Sequence, residues 1–71
     1  MVTDDRLCRI VFADWICTLR RDKDPDYDIK VETIMEIMNR FGVEGMDKFD
    51  DTIDEIWRRH FLHEPPKRWI L

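Results

Sequence analysis

Seventy-one residues suffice for one domain, and at that size a single core supplies only ~3–5 kcal/mol, so the chain must bury its apolar residues efficiently or share surface with a partner. Hydrophobic residues make up 44% and charged residues 39%, with two Gly, three Pro and neither Ser nor Gln, which excludes a disordered or low-complexity chain. The net charge of −4 favours basic or apolar partners over a bare phosphate backbone.

Period and punctuation predict an all-α fold, a small three-helix domain spanning residues 1–71, with helices at about 4–21, 29–41 and 47–62 followed by a Pro-Pro tail. The first helix is expected to take Thr3 as its N-cap, with Asp4 and Asp5 in the positive first turn and Arg20 and Arg21 at the negative end. Leu7, Val11, Phe12, Trp15, Ile16 and Leu19 form its main apolar stripe, and Cys8, Ile10, Ala13 and Cys17 continue round the sides. A helix apolar on most of its circumference is normally buried on most of it.

Asp22-Lys23-Asp24-Pro25-Asp26-Tyr27-Asp28 then forms a polar link, because Pro25 forbids a continuous helix. The second helix follows from near Ile29 to Phe41, with Ile34, Ile37, Met38 and Phe41 on one face and Gly42 as its C′ residue. After the short turn Gly42-Val43-Glu44-Gly45, the third helix presents Met46, Phe49, Ile53, Ile56, Trp57, His60 and Phe61 at spacings of three and four. Asp54 to Arg58 and Glu55 to Arg59 are favourable i,i+4 pairs. Pro65 and Pro66 stop this helix, and the chain runs on through Lys67-Arg68-Trp69-Ile70-Leu71.

The longest apolar-rich run, Leu7 to Leu19, carries Arg9 and Asp14 and falls short of the about 20 residues a bilayer span needs. No membrane partner is expected. Acidic residues stand at Asp4 and Asp5 where a signal peptide has a basic region, so the expected location is cytoplasmic. Cys8 and Cys17, nine positions apart on one helix, lie about 13 Å from each other, too far for a disulfide. Two free thiols suit a reducing compartment.

Candidate chemistry is limited by inventory. No serine nucleophile exists, and two glycines cannot build a phosphate-cradling loop. Cys17 with His60 is the remaining nucleophile and base pair, but both positions are better explained by packing, so no enzyme activity and no catalytic residue is expected. Cys8, Cys17, His60 and His63 lack the paired spacing of a zinc site, and no metal or other cofactor is expected.

The link offers a more specific pattern. From Asp22 to Ile29 the chain resembles the first eight positions of an EF-hand calcium loop, with Asp22, Asp24, Asp26 and Asp28 at the alternate ligand places, and Ile34, Ile37, Met38, Phe41 and Gly42 fall where that family's exit helix has its apolar residues and closing glycine. The resemblance covers residues 12–42 and implies a helix-loop-helix with those four aspartates as weak calcium ligands. It departs at three places: Tyr27 replaces the turn glycine, Pro25 stands fourth, and Thr33 replaces the bidentate Glu. Losing that ligand and that glycine together predicts a loop with little calcium affinity.

A helix-turn-helix would present Asp47, Asp50, Asp51, Asp54 and Glu55 to phosphates, so no direct nucleic-acid binding is expected. Pro65-Pro66-Lys67-Arg68-Trp69 resembles the Pro-x-x-Trp ending of small helical nucleoid modulators of the Hha family, which would imply a transcription modulator working through a protein partner. The larger signal is surplus apolar surface on helix one and in the tail. It leads to a non-catalytic protein-binding module: a small acidic regulator, adaptor or inhibitor of a partner protein or of a second copy of itself. The alternatives are the nucleoid modulator and a calcium-responsive hand. The contact candidates are Trp15, Trp57, Phe61, Trp69, Ile70 and Leu71, with Arg58, Arg59 and Arg68 as bordering charges. For Trp69 to Leu71 the competing expectation is that the tail folds back over the core.

Overall fold

A computed structural model of the chain describes residues 4–61 and 64–69. Thr3, His63, Ile70 and Leu71, all named above, and the expected last residue of the third helix, Leu62, lie outside the described residues. Three α-helices follow in order, α1 (Asp5–Arg21), α2 (Tyr27–Arg40) and α3 (Phe49–Phe61), with a short 3-10 turn at Met46–Lys48 before the last. Among the described residues there is no strand, so the all-α three-helix architecture holds.

The helix starts differ in detail from the sequence expectation. Asp4, not Thr3, caps α1: its carboxylate accepts from the backbone N–H groups of Arg6 (3.0 Å) and Leu7 (3.2 Å). α2 begins two residues early, at Tyr27. Asp24 Oδ1 accepts the Asp26 N–H at 2.8 Å, and the Asp24 carbonyl accepts the Tyr27 N–H at 3.1 Å, so the link turns tightly enough to start the helix at once. Before α3, Gly45 sits in the left-handed region at φ +80, and the Lys48 N–H returns to its carbonyl at 3.1 Å, closing a 3-10 turn where a regular helix from Asp47 was expected.

The core runs through all three helices. Ala13, Ile16, Cys17 and Leu19 come from α1, Val31, Ile34 and Met38 from α2, and Phe49 and Ile53 from α3. The rotation of α1 corrects the sequence reading. Leu7, Val11 and Trp15, expected in its buried stripe, face outward, while Ala13 and Cys17, expected on its sides, are fully enclosed. The small pair at i,i+4 lets α3 approach closely: Cys17 Sγ lies 3.5 Å from the Ile53 carbonyl, and Phe49 and Ile53 fill the space that larger side chains would occupy. On α2, Ile37 and Phe41 leave the expected apolar face for solvent, and on α3 His60 is exposed where packing had been expected.

Trp69 closes the end of the bundle. Its side chain is 3% exposed, its indole N–H donates to Asp54 Oδ1, and its ring meets Trp57 edge-on at 5.4 Å. The Tyr27 hydroxyl donates to the Trp69 carbonyl at 2.7 Å, and the Arg20 guanidinium lies over both the Tyr27 ring (4.8 Å) and the Trp69 ring (5.7 Å). The tail at Trp69 therefore covers the core. The expected Asp54–Arg58 ion pair gives way to the indole contact, while Glu55–Arg59 forms at 2.9 Å.

Candidate protein interface

Residues four apart on a helix stack into a row, and on the outer side of α1 that row is Leu7, Val11 and Trp15. They are 58%, 56% and 48% exposed, and Ile10 lies beside them at 40%. The Phe12 and Trp15 rings stack at 6.2 Å, linking the row to a groove of about 310 Å³ that Cys8 and Phe12 share with Ile37 and Phe41 of α2. Phe41, at the C-cap of α2, is 81% exposed. The result is a largely apolar surface across α1 and the C-terminal half of α2, bordered by Asp5 and Asp14.

The candidates named from sequence occupy separate environments. Trp15 belongs to this surface. Trp57 and Phe61 are half-buried and pack on each other at 4.5 Å, with Trp57 donating to the Glu64 carbonyl at 3.2 Å and Arg21 lying 5.5 Å from the Phe61 ring. Together with Trp69 they form an internal aromatic cluster, so the buried Trp69 side chain is a support of the fold and presents no exposed contact area. Arg58, Arg59 and Arg68 are exposed. Leu7, Ile10, Val11, Ile37 and Phe41 were missed as surface residues. The signal that could have found two of them is the Ala13–Cys17 pair, which marks the close-packing side of α1 and so turns Leu7 and Val11 outward with Trp15.

Local electrostatics explain the remaining candidates. Burial first, then the carboxylates of Asp14 and Asp54, push the Cys17 thiol up to about 12, the opposite of what a nucleophile requires. In the acidic link, Lys30 Nζ donates to Asp24 at 2.6 Å and holds its carboxyl below the ordinary value; the same contact raises the Lys30 ammonium. Asp22 pairs with Arg21 at 3.1 Å. Asp26 and Asp28 flank the first residue of α2, so the link is short and internally hydrogen-bonded. Among the described residues no three His, Cys, Asp or Glu side chains gather to hold one metal ion, and no helix is long and apolar enough to cross a membrane. Compared with protein-family models, with curated proteins and with solved structures, the chain matches none.

Proposed function

We propose that this chain is a non-catalytic protein-binding module, a small acidic regulator, adaptor or inhibitor that meets its partner through the outer face of α1 and the groove shared with α2. One observation carries the reading: Leu7, Val11 and Trp15 form an exposed apolar row on a helix whose opposite side is fully buried. A domain with so little core to spare gains nothing for its own stability from three large apolar groups in water, whereas an interface uses them. Trp15 has the size and rigidity of an interface anchor, and the charges at the border suit a contact whose centre is dry. A second copy of the chain is the simplest partner, since the same face can pack against itself.

The test compares wild type with Val11→Asp, a change on an exposed position that leaves the core intact. Circular dichroism is expected to show the same fold, while a specific partner recovered from the native host with wild type is lost with the variant. Sedimentation equilibrium at tens of micromolar separates a self-associating chain from an 8.8 kDa monomer that needs another protein. Equal recovery of the same partner by both proteins, with no self-association in either, overturns the assignment of this face.

A further inference from the structure

Beside that surface, and sharing Ile10 with it, a cleft of about 250 Å³ lies between the start of α1 and the middle of α3, bordered by three guanidinium groups: Arg6 and Arg9 from α1 and Arg59 from α3. The whole chain carries −4, yet here the balance reverses, because Glu55 is the one carboxylate among the lining residues. One of the three cations, Arg9, is held in place by the fold. Arg59 is exposed and pairs with Glu55 on its own helix at 2.9 Å. Arg9 donates to the Glu44 carbonyl and lies flat against Gly45, where a Cβ would come within 2.7 Å of its Nη1. Asp5, one turn before Arg9, accepts the Glu44 N–H at 3.2 Å, so its carboxylate meets the same residue as Arg9 and does not line the cleft. Arg6 is exposed and takes part in no ion pair among the described residues.

Positive charges gathered at one cleft repel one another, and an anion between them relieves that repulsion. We infer that the cleft bounded by Arg6, Arg9 and Arg59 binds a phosphate group, either as the free ion or as a monoester. Three guanidiniums against one lining carboxylate leave an excess of positive charge, the sign that a phosphate ester's −1.5 to −2 near neutral pH calls for. Planar guanidinium forks match phosphate oxygens bidentately, and Arg9, already positioned, and Arg59 have N–H groups to spare after their protein contacts. Ile10 and Ile56 on the wall offer an ester substituent an apolar seat.

The experiment follows the arginine Nε–Hε signals of the isotopically labelled full chain during titration with inorganic phosphate, phenyl phosphate and acetate at constant ionic strength. Saturable shifts are expected at Arg6, Arg9 and Arg59 and not at Arg40 or Arg68, with acetate at least about tenfold weaker and Arg6→Ala, an exposed change, weakening phosphate by about tenfold. Tighter binding of phenyl phosphate assigns the site to an ester, and equal or weaker binding assigns it to the free ion; both support it. Shifts that rise without saturation, that move Arg40 and Arg68 equally, that acetate reproduces at the same concentration, or that Arg6→Ala and Arg59→Ala both leave unchanged overturn it.

Discussion

At Cys17 the enclosure of a thiol by Ile53 and its neighbours raises its ionisation to about 12, while an unfolded chain exposes the same group with a value near ~8.5. A group that holds its proton more firmly when folded contributes its full stability below ~8.5 and loses it as pH climbs toward the folded value. Tyr27, also raised chiefly by burial, and Lys30, raised by its contact with Asp24, act in the same direction but only above ~10, where their unfolded forms begin to titrate. Between pH 8.5 and 10, Cys17 is therefore expected to cost the fold about 1.4 kcal/mol per pH unit at most. Denaturant melts across that window check the slope, with Cys17→Ala as the baseline that lacks it. Iodoacetamide at pH 8 supplies a second readout: Cys8, half-exposed, is modified in the native protein and Cys17 only once denaturant opens the core.

The ends of α1 and α2 solve one backbone problem with different residues. After α2, Gly42 at φ +66 lets its own N–H reach the Asn39 carbonyl (3.1 Å) and the Val43 N–H reach the Met38 carbonyl (3.0 Å), with Val43 buried behind it. After α1, Lys23 stands in that place at φ +53, with its N–H on the Arg20 carbonyl and the Asp24 N–H on the Leu19 carbonyl, both at 3.2 Å. A side chain in the left-handed region costs about 1–2 kcal/mol, part of which glycine returns through its greater freedom when unfolded. Lys23→Gly is therefore expected to stabilise the protein by about 0.5–1 kcal/mol in urea melts, and Gly42→Ala to destabilise it by about 1 kcal/mol despite the open space around it. The stop after α2 was legible because glycine announces it; the equivalent stop after α1 carries no such letter, and the link there was read from Pro25 instead.

Across the whole molecule, Trp69 joins elements that are far apart in sequence: Arg20 at the end of α1, Tyr27 at the start of α2, and Asp54 and Trp57 on α3 all contact it. Removing a buried aromatic side chain costs about 3–5 kcal/mol, comparable with the whole margin of a domain this small. Truncation after Arg68 is expected to abolish the cooperative thermal transition or lower its midpoint sharply, whereas Arg58→Ala, at an exposed position, leaves it within about 0.5 kcal/mol of wild type. A truncated chain that melts as wild type does would show that Trp69 adds nothing to the core.

The number of helices, their approximate ends and the glycine stop after α2 could be read from the chain because each depends on short-range demands: apolar spacing, a side-chain cap for free N–H groups, and a backbone conformation that only glycine adopts cheaply. The orientation of α1 could not, since apolar residues lie almost all the way round it and periodicity alone ranks several faces equally. Packing depth decided it. Ala13 and Cys17 leave room for Phe49 and Ile53, and once that side is filled Leu7, Val11 and Trp15 must face out. The place of Trp69 was settled the same way, by its hydrogen bonds with Asp54 and Tyr27 and its ring contacts with Arg20 and Trp57, which exist only after all three helices have assembled.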